Sequence, residues 1–217
     1  LWNQNYQFVS TEVKFDQILN GPTGYYLVGN TFTAGFMDST KAFIVKVDAA
    51  GKHEWNKLYN YNPAIATHTL FNKAMLLGDT LVTVGLIYPA NFVGGQKPYR
   101  PTVCKLDTSG NFLSGKYYVI DSSMLGIDNY EFKDFYQTPS GNFYLVGFNY
   151  GNEHALFKMD KQFNIIRIKE KLSGKMTTMC AGYDENLFIV PDNSFTNSVY
   201  EMDSSFNIIA NHAIKKN

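Results

Sequence analysis

The chain has 217 residues, and its 19 lysines plus arginines are balanced by 19 aspartates plus glutamates, so the net charge is near zero. That balance argues against a nucleic-acid binder, which would show a basic face, and 16% aromatic against 18% charged residues argues against disorder. No run of 18 apolar residues occurs, so no membrane-spanning helix is expected.

The chain opens with Leu1 rather than Met, and no signal peptide is visible. Its first block, Trp2-Asn3-Gln4-Asn5-Tyr6, matches Trp55-Asn56-Lys57-Leu58-Tyr59 further on. Residues 1–9 therefore read as an orphan outer strand of a preceding four-stranded unit, and the expectation is a segment of a longer protein. Two other readings stay open. Four units form a small ring with residues 1–9 as an additional edge strand, or several chains complete a larger ring or exchange strands in a polymer.

The first full unit, 10–61, places turn residues Asn20-Gly21-Pro22-Thr23-Gly24 before an apolar strand, Tyr25–Gly29. A second strand block, Ile44 to Lys52, carries Asp48 and Gly51, and His53–Tyr59 follows as a further strand. The second unit, 62–120, runs Gly78-Asp79, Leu81–Gly85, Val103–Asn111 and Phe112–Val119. The third, 121–173, runs Glu131–Tyr136, Thr138–Asn142, Phe143–Gly147, Leu156–Asn164 and Ile165–Leu172. The fourth, 174–217, runs Met176–Cys180, Asp184–Asn186, Leu187–Pro191, Val199–Asn207 and Ile208–Ile214.

Each unit thus reads as four antiparallel strands, A to D, with tight A–B and C–D turns and no helix. The block before each C–D turn holds Asp48, Asp107, Asp160 and Asp203, spaced 59, 53 and 43 residues apart. Recurrence at that period points to an all-β fold, a β-propeller of four-stranded blades, with four blades and the orphan strand visible. A β-sandwich is the structural rival, but sandwiches do not repeat one motif at constant register. The aspartates read as turn-formers that bond backbone N–H groups, rather than as metal ligands, since each stands nearly alone. Gly51 and Gly110 supply the left-handed position. Where Phe163 and Phe206 replace glycine, Asn164 and Asn207 are expected to take that conformation instead.

Cys104 and Cys180 fall in non-adjacent units and are expected to be free, buried thiols. Asparagine is abundant, at 21 residues, yet no N-x-[ST] sequon occurs.

The stretch G-Y-Y-L-V-G-N at 24–30 with A-F-I-V-K-V-D-A-A-G-K-H-E-W-N-K-L-Y at 42–59 resembles the propeller repeats of many secreted and surface bacterial proteins. Similar repeats occur in some large protist proteins. The resemblance spans nearly the whole chain, best in the first unit and worst in the fourth. It implies a propeller fold and an extracellular or cell-surface address, without one activity. The same stretch is partly similar to the tryptophan-docking repeat of quinoprotein-type propellers. Asp48, Gly51 and Trp55 fill the comparable places, with one residue missing between Asp and Gly. It also resembles the Asp-box of sialidases, with one residue too many there. Neither motif carries catalytic residues by itself.

In such a blade the B–C and D–A connections share one face, and here they read as long: Asn30 to Lys41, Tyr88 to Arg100, Asn60 to Thr67 and Ile120 to Asn129. Long loops on a rigid scaffold are the usual place for recognition. Candidate contact residues for a protein or glycan partner are Phe32, Phe36, Tyr88, Phe92, Lys97, Tyr99 and Arg100. The competing reading is that the aromatics only hold their loops to a neighbouring blade. Lys46, Lys105 and Lys158, with Glu201, read as snorkelling side chains on a blade face.

Catalytic signals are sparse. His53, His68, His154 and His212 lack metal-ligand spacing, and no G-x-S-x-G elbow, P-loop or dinucleotide fingerprint occurs. No catalytic residue, metal site or cofactor is singled out. The expected function is a non-catalytic extracellular module for protein or glycan binding, adhesion or assembly of an extracellular structure. No nucleic-acid binding or membrane insertion is expected, and exposed strand edges offer a route to self-assembly. The alternative is a glycan-active or quinone-dependent propeller enzyme, or its degenerate relative. A sialidase-like site wants three clustered arginines, and the chain has only Arg100 and Arg167.

Overall fold

A computed structural model describes residues 12–33, 36–61, 66–89, 99–119, 130–149, 154–172, 175–182, 185–192 and 198–213. The described residues are all-β, without helix, and fall into two compact units, Leu1–Ile120 and Asp121–Asn217. The first unit holds β1 (Glu12–Gly21), β2 (Gly24–Thr33), β3 (Phe36–Asp48) and β4 (His53–Tyr59), each antiparallel to the next. A second antiparallel meander follows: β5 (Ala66–Leu77), β6 (Thr80–Pro89), β7 (Arg100–Asp107) and β8 (Phe112–Tyr117). One parallel pairing, Lys41 with Thr69, joins β3 to β5.

The other unit contains β9 (Tyr130–Gln137), β10 (Phe143–Asn149), β11 (His154–Met159) and β12 (Ile165–Leu172) as one four-stranded sheet. The second sheet of that unit is β13 (Lys175–Ala181), β14 (Leu187–Asp192), β15 (Ser198–Met202) and β16 (Ile208–Ala213). The orphan strand expected at 1–9 lies outside the described residues.

The core of the first unit explains why its strands read as nearly continuous apolar runs. Tyr26, Val28, Ala42, Ile44 and Tyr59 from the first meander pack with Phe71, Ala74, Leu81, Cys104 and Leu106 from the second. The alternate residues Leu27, Phe43, Val45 and Val47 are buried as well, against Val13, Phe15 and Tyr25. A strand buried on both faces loses the polar alternation of a half-exposed sheet. Burial pushes the Cys104 thiol up to about 12, although the Thr102 and Thr83 hydroxyls work against that rise. Cys180 departs from expectation: it is exposed. It sits in β13, where successive side chains alternate between faces, and its neighbour Met179 takes the buried side.

In all four meanders the turn before the outer strand is closed by aspartate. Asp48 Oδ1 accepts from Ala50 N and Lys52 N at 2.9 and 2.8 Å, and Asp160 and Asp203 accept in the same pattern. The main chain adds Gly51 N to Asp48 O at 3.0 Å and Asp48 N to Lys52 O at 2.9 Å. The positive-φ position corrects the expectation for the third and fourth turns. Phe163 (φ 60°) and Phe206 (φ 66°) adopt it themselves, while Asn164 and Asn207 donate side-chain N–H groups to Asp160 and Asp203. Left-handed backbone costs a residue with Cβ about 1–2 kcal/mol, whereas burying a phenylalanine contributes about 1.5–3 kcal/mol. Phe163 stacks on Phe143 at 4.3 Å and Phe206 packs on Tyr144 at 5.5 Å, so ring burial outweighs the backbone cost.

Backbone and side-chain hydrogen bonds from Asn111 hold the Asp107 carboxyl below its usual range, and Asn207 does the same for Asp203. A depressed folded-state value means stability that is complete above the ordinary carboxylate range and lost as pH falls through the folded value. Thermal midpoints are therefore expected to drop as pH falls below the ordinary carboxylate range. Asp107→Asn, which keeps an acceptor oxygen without the titration, should flatten part of that slope in a pH series of melts. An unchanged slope would show that this turn does not contribute.

Candidate functional site

The recognition candidates among the described residues occupy the strand ends opposite these turns. Tyr88 is half-buried near the end of β6 and pairs across the sheet with His68 of β5. Their rings meet edge-on at 5.4 Å. Tyr99, just before β7, meets Tyr88 edge-on at 4.6 Å, so the two tyrosines bracket the base of the connection between β6 and β7. Quadrupolar edge-to-face pairs of this kind contribute about 0.5–1.5 kcal/mol beyond area burial. Arg100, the first residue of β7, lays its guanidinium over the Tyr117 ring at 5.4 Å. Tyr117 meets Tyr61 edge-on at 6.0 Å, and Tyr61 meets Phe112 in the same way at 6.0 Å. Gly115 makes this possible, because a Cβ there would stand 2.2 Å from the Tyr61 ring.

The second meander thus brings together three of the predicted residues, Tyr88, Tyr99 and Arg100. Phe92 and Lys97 lie outside the described residues. Phe32 belongs to the first meander, half-buried in β2 opposite Glu12. Phe36 opens β3 and pairs with Thr33, so the supposed long loop from Asn30 to Lys41 is instead a hairpin whose strands run to Thr33 and from Phe36. The strand pairing continues because Asn30 and Thr31 are buried in the ladder rather than solvated.

His68, Tyr61 and Tyr117 escaped the sequence reading. Their signal is register: His68 lies directly across from Tyr88, and Tyr117 directly across from Thr102, two residues beyond Arg100. Such partners are separated along the chain, and only the strand pairing shows them.

The lysine ring also differs from expectation. Lys46 does not snorkel to solvent: its side chain is 3% exposed and pairs with Glu54 at 3.0 Å. The ammonium lies 5.3 Å above the Tyr26 ring and donates to Val47 O at 3.0 Å. A buried ammonium needs such partners to offset its lost hydration. Lys158 repeats the arrangement above Tyr144 at 5.5 Å and donates to Ser204 O at 3.2 Å. Glu201, at the matching place in β15, accepts from Asn186 Nδ2 and meets His212 Nε2 at 2.9 Å. Hydrogen bonding from His212 and Asn186 lowers its carboxyl from the usual range.

Among the described residues no cluster of three or more His, Cys, Asp or Glu has a geometry that would hold a metal ion. The arrangement offers aromatic edges and a guanidinium, which suits stacking and polar contact. The sequence matches no protein-family model and no curated protein.

Proposed function

We propose that the chain is a non-catalytic extracellular or cell-surface β-propeller module. It binds a protein or glycan partner through the strand ends that carry Tyr88, Tyr99 and Arg100, in adhesion or in assembly of an extracellular structure. The observation that carries this reading is the Tyr88–Tyr99 pair at 4.6 Å beside the Arg100–Tyr117 stack. Tyrosine and arginine are the side chains that most often anchor interfaces, because each combines a flat apolar surface with a polar edge. The propeller reading is supported by four-stranded antiparallel meanders in chain order and by strands buried on both faces. Near-zero net charge and a resemblance to secreted propeller repeats support the address and disfavour nucleic acid.

The test is an oligosaccharide array probed with the full chain, followed by calorimetry on the best neutral and the best acidic glycan. Saturable binding is expected, weakened by at least about tenfold, or roughly 1.4 kcal/mol, in Tyr88→Ala and in Arg100→Ala. A protein partner would appear instead as binding to an extracellular-matrix protein panel, with loss in the same two variants. Turnover of any bound glycan at ordinary enzyme rates would overturn the non-catalytic reading in favour of a glycan-active propeller.

A further inference from the structure

Between residues 62 and 120 the chain has only two acidic residues, Asp79 and Asp107. Both sit at the turn end of the second meander, Asp79 between β5 and β6 and Asp107 at the close of β7. Arg100 opens β7, at the opposite end, about 23 Å away at 3.3 Å per residue. That is more than two Debye lengths at physiological salt, so neither carboxylate neutralises the guanidinium. Arg100 is half-buried, and among the described residues it makes no hydrogen bond and no ion pair; its guanidinium lies over the Tyr117 ring at 5.4 Å. Other cations of the chain are satisfied: Arg167 donates to Ser205 O at 2.9 Å, Lys57 donates to Ser109 O at 2.8 Å, and Lys46 pairs with Glu54. A guanidinium carries five N–H donors in a planar fork that fits a carboxylate edge-on. Arg100 holds that fork with its donors unused, and the ring beneath it limits its motion, so less entropy is lost when an anion docks.

The main chain around Arg100 is already engaged. Arg100 pairs with Ile87 of β6, Thr102 pairs with Tyr117 of β8, and Tyr118 N donates to Pro101 O at 3.0 Å. β7 therefore offers no free edge to which a peptide strand could add. A peptide on the outer edge of β8 would lie three strand spacings from β6, about 14 Å, and would miss Tyr88. Tyr88, Tyr99, Arg100 and Tyr117 lie across the ends of three strands rather than along one edge. A ligand that meets all four does so through side chains alone. A pyranose ring with a carboxylate on it meets that requirement, because its C–H face packs on an aromatic ring while the acid, fixed one bond from the ring, reaches the fork.

We propose that the partner of this site is a glycan built from carboxylated sugars, with Arg100 receiving the carboxylate and the Tyr88–Tyr99 pair packing against the sugar ring. Tyr117 is the positioning residue that holds the guanidinium over its ring. The inference rests on the binding role already proposed for these strand ends and adds the charge and class of the ligand. Arg100 supplies the selectivity: a neutral sugar leaves its donors to water, whereas a carboxylate takes two of them in parallel.

The test presents the full chain with oligosaccharides in matched pairs, each carboxylated sugar beside its neutral methyl ester, together with a sulfated set. The acid of at least one pair is expected to bind about tenfold or more tighter than its ester. Arg100→Gln should abolish that preference, and Arg100→Lys, which keeps the charge without the fork, should restore only part of it. Tyr117→Leu should weaken binding of the acid several-fold while leaving the ester unchanged. Lys116→Gln removes a neighbouring charge and should keep the preference; loss of preference in that variant equal to the loss in Arg100→Gln would overturn the assignment to Arg100. Equal binding of acids and esters, or tighter binding of the sulfated set, would overturn the carboxylate inference and leave the binding role of Tyr88 standing. Binding to a protein alone, weakened in Tyr88→Ala, would do the same. If nothing that binds is weakened in Tyr88→Ala, the binding role of these strand ends fails, and this inference fails with it.

Discussion

Gly85→Ala is expected to destabilise the protein by about 3 kcal/mol, one of the largest effects any single methyl group would have here. The reason is space rather than backbone conformation. A Cβ on Gly85 would stand 1.9 Å from Leu70 O and 2.8 Å from Leu70 C, both main-chain atoms of β5. Gly85 pairs with Phe71, and the register slips between Phe71 and Lys73, so the bulged strand crosses over the glycine. Backbone cannot rotate away as a side chain can. The methyl must open the β5–β6 ladder, adding lost hydrogen bonds of about 1 kcal/mol each to an overpacking cost of about 1–3 kcal/mol. Gly29, opposite Phe15 at the equivalent bulge, meets Lys14 O at 2.0 Å and should behave alike. Gly147 is a graded control, since its Cβ would meet the Phe157 ring at 2.5 Å and a ring can tilt. Gly78→Ala supplies the floor, because it meets nothing and costs only its left-handed conformation (φ 57°), about 1 kcal/mol. Urea midpoints for the four variants would check the order. A Gly85→Ala cost below that of Gly78→Ala would mean that the bulge does not press on the glycine.

The all-β architecture was legible because strand signals are local. Runs such as Leu81–Gly85 and Phe143–Gly147 carry β-branched and aromatic residues between turn residues, and they form β6 and β10. The Asp-centred turns were legible for the same reason, since donor and acceptor lie within five residues of each other. What escaped depends on contacts across strands and between meanders. Phe206 accepts a left-handed backbone only because Tyr144 lies beneath its ring, and nothing near position 206 announces Tyr144. Lys46 looks like a surface lysine until Glu54 and the Tyr26 ring are placed around it. At the candidate site, Tyr88, Tyr99 and Arg100 stood out by residue type, while His68, Tyr61 and Tyr117 became visible only through strand register. Asn30 was misread as the start of a loop. A polar residue after a glycine usually leaves a strand, and here it remains because its amide serves the neighbouring meander.

That amide carries the second large effect. Asn30 is 2% exposed, yet its Nδ2 donates to Phe71 O at 3.0 Å and its Oδ1 accepts from Phe71 N at 2.9 Å. One side chain thus satisfies both backbone groups of a fully buried residue in β5, in the way a neighbouring strand would. Nδ2 also donates to Asp16 Oδ2 at 3.1 Å. Gln17 repeats the clip at Ala74, accepting from its N at 2.7 Å and donating to its O at 3.1 Å, but in a part-buried place where water can substitute. Asn30→Leu keeps the branched shape and removes every side-chain bond, leaving the Phe71 N–H and C=O without these partners. At about 1–3 kcal/mol for each buried orphan, the expected loss is roughly 3–4 kcal/mol. Gln17→Ala should cost only about 1 kcal/mol, because its backbone partners can turn to solvent. Asn30→Asp separates hydrogen bonding from packing. Its carboxylate still accepts from Phe71 N but cannot donate to Phe71 O, and it places a charge beside Asp16. Burial and that like charge both raise the carboxyl of the variant in the folded state. A raised folded value gives stability that is complete below the unfolded value and is lost as pH rises through the folded one. The variant should therefore gain stability on acidification down to the ordinary carboxylate range, where the wild type stays level; the loss through Asp107 and Asp203 begins only below that range. Parallel curves of thermal midpoint against pH for Asn30→Asp and wild type would show that the amide is not the clip between the two meanders; curves that converge on acidification would show that it is.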